Sequence, residues 1–336
     1  MPSAHPEDDL SDGNVYERAG GPTMARMLLG RRLRELREGA GIERQAAGDA
    51  IRASAAKIRR LENGSSSVKR RDVADLLTLY GVTDPADRDV LLALVDQANA
   101  PGWWHEYADL VSPWFETFLG LEQSASVIRT WELQFVPGLL QTPDYARVVI
   151  AHRLPGIRAD EIERRVALRM RRQHILTAPD PVKLWAVIDE GALRRRIGGG
   201  NVMRAQLTHL LETAELPNVT IQVMPLEGPY HPGARRPVTM LRSAADIVPD
   251  VVYCEHLSAG RFYDKPADTT RFFDLLNWLS VHAPPPKETP GILRRLLDDL
   301  DAEGVSRLRQ VIAEGGFRRI RRAADTPFHM VLEARR

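Results

Sequence analysis

The sequence predicts two folds in series: an all-α domain of five helices over residues 23–98, then a mixed α/β domain over residues 103–300. Three observations predict this. Up to residue 98, apolar residues recur at helical spacing between short turns marked by Gly, Asp-Pro or Ser. After Asn99-Ala100-Pro101-Gly102 the pattern changes, and short Val- and Ile-bearing runs alternate with helical stretches. Pro284-Pro285-Pro286 closes the main body.

Taken in order, residues 1–22 carry Glu7, Asp8, Asp9 and Asp12 and read as a disordered acidic tail. Helix one places Leu29, Leu33 and Leu36 on one face and ends at Gly39-Ala40-Gly41, where glycine accepts the left-handed conformation that closes a helix. Helix two begins near Glu43 and is expected to bury Ala47, Ala50 and Ile51, the small Ala47 admitting close approach of the next helix. Ser54 is a good N-cap for helix three, whose inward side is Ile58 and Leu61 and whose end is Asn63-Gly64. Helix four presents Val73, Leu76, Leu77 and Tyr80, and helix five, opened by Asp84-Pro85, presents Val90, Leu91, Leu94 and Val95. Residues 99–102 form a linker. Strands are expected over 125–133, 182–188, 219–224, 238–241 and 251–255, with helices near 142–152, 158–177, 201–214 and 266–282. Beyond Pro286 the chain reads as two amphipathic helices with an Arg cluster at 318–322, so that residues 301–336 form a helical extension.

Composition bounds the function. Of 336 residues, 43% are hydrophobic and 27% charged, ordinary values for a globular protein of two or three domains. The single Cys254 leaves no disulfide framework and no cysteine-rich zinc site, as in a protein of a reducing compartment. No basic, apolar leader and no apolar run long enough to cross a bilayer is present, so a cytoplasmic protein without a membrane partner is expected. Net charge is only +1, but residues 23–82 hold 13 Lys or Arg against 7 Asp or Glu, a local +6 on an otherwise acidic chain. That is what phosphate attraction needs without indiscriminate nucleic-acid binding.

The stretch from Gly41 to Gly64 combines a helix, a tight turn and a second helix bearing cations. With the second helix in a major groove, its N-terminal Ala55 and Ala56, and Arg59 one turn on, lie near base edges, flanked by Lys57 and Arg60. Residues 23–82 resemble the Cro/cI-type (XRE) helix-turn-helix family, whose recognition helix ends in the pattern seen here as Ile58, Leu61, Glu62, Asn63 and Gly64. The resemblance implies a DNA-contacting set of Arg44, Ser54, Ala55, Ala56, Lys57, Arg59 and Arg60. Arg44 occupies the position of a phosphate-anchoring Gln, Arg52 stands where the family usually has its turn glycine, and Gly48 weakens helix two. A generic helical hairpin with a solvated basic face is the plainer alternative.

The segments PGWWHEYADLVSPWFETFLGLEQSA, FVPGLLQTPDYAR, RRQHIL, GGGNVMRAQLTHLLE, NVTIQVMP and VVYCEH resemble the large C-terminal domain carried by many actinobacterial transcriptional regulators, often described as antitoxin-like. The similarity spans about 102–300 and centres on PGLLQT at Pro137–Thr142. It implies a regulatory domain that senses a small-molecule effector or a small partner protein, with no catalytic activity. Candidate ligand or partner residues are Trp103, Trp104, Tyr107, Trp131 and Gln141. With Trp114 and Phe115, the first three form an aromatic run that fits the hinge-side core better than a pocket or an interface. Gly198-Gly199-Gly200 beside Arg194, Arg195 and Arg196 suits a flexible helix entry more than an anion site at a helix start. The basic helix with Arg164, Arg165, Arg169, Arg171 and Arg172 suits a solvated or salt-bridged face more than a second DNA contact.

An enzyme would need Asp189, Glu190, His231, Glu255 and His256 to converge, yet no HExxH, GxSxG, P-loop or dinucleotide glycine pattern supports one. No catalytic residue, metal or cofactor is expected. The sequence thus points to a homodimeric, sequence-specific transcriptional regulator acting on a double-stranded DNA operator. The other readings are an adaptor that binds a small partner and only autoregulates, and an enzyme fused to a DNA-binding module.

Overall fold

Helix α1 (Pro22–Gly39) buries residues on two sides, and this sets the architecture. The computed structural model describes residues 21–229, 231, 233–243, 249–256, 259–315, 319–325 and 330–335, with backbone alone over 303–311, 319–325 and 330–335. Ala25, Leu29 and Leu33 of α1 face a helical core completed by α2 (Arg44–Ala50), α3 (Ala55–Glu62), α4 (Arg70–Leu79) and α5 (Pro85–Asn99). Its other side carries Met24 and Leu28, both buried, joined by Met27, which also packs against the core of the α/β domain.

Within the helical domain the periodicities fall where spacing places them, with two exceptions. Ala50 is exposed and Gly48 is buried in its stead, because the chain folds back after α2 and brings the Ala53 carbonyl over residue 48. Val90 is 38% exposed; α5 turns Leu91, Leu94, Val95 and Ala98 inward instead. Asp84 caps α5 by accepting from Ala86 N at 2.7 Å.

The α/β domain opens with a 3₁₀ turn at Trp103–Tyr107 and α6 (Pro113–Gln123). Strand β1 (Ala125–Glu132) leads through α7 (Pro143–Arg153) and α8 (Ala159–Arg172) to β2 (Lys183–Asp189). The short α9 (Glu190–Arg194) and α10 (Gly200–Thr213) then lead to β3 (Val219–Met224). These three strands are parallel; β4 (Val238–Ser243), β5 (Val251–Glu255) and β6 (Gly260–Tyr263) extend the sheet antiparallel from β1, giving the order β3-β2-β1-β4-β5-β6. Strand alternation divides two cores. Ile128, Leu184, Ala186 and Ile188 face α6, α7, α10 and α12 (Thr289–Glu314), whereas Trp131, Val187, Met240 and Val252 face α11 (Pro266–His282).

Both ends of the chain depart from expectation. Pro22 already belongs to α1, and residues 1–20 of the expected acidic tail lie outside the described residues. The extension is not wholly helical: α12 runs to Glu314, after which β7 (Arg319–Asp325) and β8 (Met330–Arg335) pair antiparallel. The Arg- and Ala-rich run has high helix propensity, but the local pairing of two short segments overrides it. Arg318 of the Arg cluster lies outside the described residues.

Candidate nucleic-acid interface

Ser54 holds the N-terminus of α3 in extended backbone geometry and accepts from Lys57 N at 3.3 Å. Ile58 and Leu61 anchor the inward face, while Ala56, Arg59 and Arg60 are exposed and Ala55 is half-buried. Among the described residues, neither the Arg59 nor the Arg60 guanidinium has a hydrogen-bond or ion-pair partner. Lys57 is less free, because its Nζ donates to Ser67 O at 3.1 Å.

Arg44 has an internal duty. Its Nε donates to Glu62 Oε2 at 2.8 Å, and Arg37 Nε of α1 donates to Glu62 Oε1, so one buried carboxylate ties α1, α2 and α3 together. Arg37 completes the tie with a bond to Ile42 O at 2.8 Å. Burial, together with the negative charge of Glu62, pushes the Tyr80 hydroxyl up to about 12.

The turn between α2 and α3 is fixed by backbone bonds. Ile51 N and Ala53 N both donate to Gly48 O, at 3.1 and 2.8 Å, and Arg52 N donates to Asp49 O at 3.1 Å. A Cβ at residue 48 would lie 2.6 Å from Ala53 O, so glycine there permits the turn rather than merely weakening α2. Arg52 adopts φ 56°, the one positive φ of a non-glycine residue among those described.

The five candidate ligand or partner residues do not form one site. Trp103, Trp104 and Tyr107 share a cluster with Leu119 of α6 and Leu168 of α8, with Trp104 buried and meeting Trp103 edge-on at 5.8 Å between centroids. Trp131 lies on the other sheet face, buried against α11, its indole donating to Ala234 O at 3.0 Å; strand alternation sends it there. Gln141 is buried as scaffold, donating to Val136 O at 2.7 Å and accepting from Arg169 Nη1 at 2.8 Å. The PGLLQT loop is held further by Gln206, which donates to Leu140 O and accepts from Thr142 N.

The arginines of α8 are all engaged. Arg164 pairs with Asp109, Arg165 with Glu161, Arg171 with Glu106 and Arg172 with Glu122, while Arg169 bonds Gln141. Arg171 also lies over the Trp103 ring and Arg172 over Phe115 and Phe118. Beside them, at the carboxyl ends of β1 and β5, stand Glu132 and Glu255. Burial, then the charge of Glu255, pushes Glu132 up to about 8; burial lowers Arg169 to about 10. Among the described residues the buried Tyr253 hydroxyl has no hydrogen-bond partner, and burial raises its pKa. Sequence reasoning missed this polar layer, since only the register of β1, β4 and β5 brings Thr130, Thr239 and Tyr253 into line.

The residues an enzyme would need have separate local partners. Asp189 accepts from Gly191 N, Glu190 pairs with Arg194, Glu255 with Arg153, His256 meets Arg236, and His231 accepts from Gly233 N beside the Trp278 ring. The glycine run at 198–200 opens α10, and its neighbour Arg195 donates to Leu133 O and Gln134 O. Among the described residues no group of three or more His, Cys, Asp or Glu is placed to hold a metal ion, and no helix is long and apolar enough to cross a membrane.

A family model described as a domain of unknown function, DUF5753, matches residues 115–295, and one described as a helix-turn-helix domain matches residues 28–91. No curated protein and no solved structure matches.

Proposed function

Because the chain belongs to the family defined by the domain of unknown function DUF5753, carried here behind the helix-turn-helix domain of a DNA-binding regulator, we propose that it is a cytoplasmic, sequence-specific transcriptional regulator. It binds its operator as a homodimer, and its C-terminal domain answers a small effector or a small partner protein. One observation carries the DNA-reading assignment. Among the described residues Arg59 and Arg60 stand exposed and unpaired on a capped helix, whereas the arginines of the Arg-rich helices α1 and α8 are all bonded internally. Two such helices about 34 Å apart read a palindrome with far greater discrimination than one.

The link to the C-terminal domain runs through α1, which shares its two sides between both cores. An effector changes operator affinity only by binding one arrangement of the domains better than another. Selection of random-sequence duplexes by the full chain tests the assignment. A two-fold site with half-sites about 10 base pairs apart is expected, and Arg59→Ala is expected to relax one base position by about 1–3 kcal/mol at fixed salt. Failure to enrich any duplex overturns it.

A further inference from the structure

Arg52 occupies the left-handed region at φ 56°, where a side chain crowds the backbone and glycine sits without cost. The bonds of Ile51, Arg52 and Ala53 back to Gly48 and Asp49 leave the turn no choice of conformation. Arg52 is exposed and, among the described residues, has no hydrogen-bond or ion-pair partner that offsets the strain. It lies two residues before the Ser54 cap, at the end of α3 where the helix dipole is positive; Arg59 and Arg60, which have no hydrogen-bond or ion-pair partner among the described residues, follow in the last turn of the same helix.

A strained residue held where the fold gains nothing from its side chain points to a role outside the fold. We infer that Arg52 is a phosphate anchor: its guanidinium contacts the DNA backbone beside the half-site that α3 reads, fixing the helix in its groove. The inference rests on the DNA-reading function proposed above. A long, always-charged side chain with a planar fork of donors suits a phosphate, and such a contact adds affinity and salt dependence without adding sequence preference.

The test uses the full chain and a duplex recovered by its own selection from random-sequence DNA. Arg52→Gly relieves the turn and removes the charge, so it should raise the melting temperature while weakening binding roughly 3–10-fold and reducing the slope of log affinity against log salt by about 1. Arg52→Asn tolerates the same φ without charge and should bind like the glycine variant, which separates lost charge from loosened backbone. Arg52→Lys should keep most of the affinity and the slope. Wild-type affinity and slope in the Gly and Asn variants overturn the anchor, as does a Lys variant as weak as they are. If the wild-type chain enriches no duplex, the DNA-reading function itself fails, a result distinct from an enriched duplex that ignores residue 52.

Discussion

Gly120 of α6 lies directly against Thr23 of α1, so closely that a Cβ at residue 120 would overlap the Thr23 side chain. Thr23 is itself buried, and Met24 beside it reaches Ser243 of β4. The seam between the helical and α/β domains is thus a helix crossing that glycine permits. Gly120→Ala should destabilise the chain by about 1–3 kcal/mol through overpacking. Thr23→Gly introduced with it should recover part of that loss, read as coupling in a double-mutant cycle by denaturant unfolding. Strictly additive losses would show that the two helices do not bear on one another there.

Glu62 differs from its partners in what its removal strands. Glu62→Ala leaves the buried Arg37 guanidinium only the exposed Glu38 carboxylate and the Ile42 carbonyl, and should cost up to about 3–5 kcal/mol. Arg44 is 38% exposed, so Arg44→Ala should cost no more than about 1 kcal/mol. Thermal melts of the two variants check this, and equal losses would contradict the assigned hierarchy.

Glu132 ties stability to pH. Its folded pKa of about 8 lies above the ordinary carboxyl value near 4.5, so the native chain keeps a proton that the unfolded chain releases between them. The contribution is complete below about 4.5 and is lost as pH rises through about 8. Glu132→Gln should therefore gain on the wild type between pH 5 and 9, by an amount on the order of 1–3 kcal/mol. Unfolding free energies measured across that range would contradict this if the two profiles stayed parallel.

Trp104 is a core residue of the α/β domain rather than a free hinge, with its ring among Trp103, Leu119 and Leu168. Trp104→Ala should lower the stability of that domain by about 3–5 kcal/mol. DNA affinity measured below its melting temperature should be little changed. A selective loss of DNA affinity with an unchanged melting temperature would contradict the core role and point to a direct contribution of the ring to DNA binding.

The helical domain was legible because its signals are local. Ser54, Asp84 and Gly64 mark helix ends by the chemistry of one turn, and Leu29, Leu33, Leu76 and Leu94 repeat at helical spacing. The candidate DNA face followed from the same signals, but the internal duty of Arg44 did not, since Glu62 is 18 residues away and only the packing of α2 on α3 joins them. In the α/β domain β3 and β5 matched their expected bounds, while β6 was missed because its four residues, Gly260–Tyr263, are too few to show alternation. Trp131 and Gln141 are candidate ligand or partner residues by type; strand parity buries one and a network with Arg169 and Val136 buries the other. Nothing in a local window reports those partners.

The most direct measurement places a photo-crosslinking amino acid at Ala56, an exposed position in the first turn of α3, and irradiates the full chain on its selected duplex. The account predicts cross-links to bases within each half-site, competed away by the same unlabelled duplex and not by an unrelated one. A duplex that is bound specifically yet gives no cross-link from Ala56, but does from the same group placed at the exposed Ala167 of α8, would show that another surface reads the DNA.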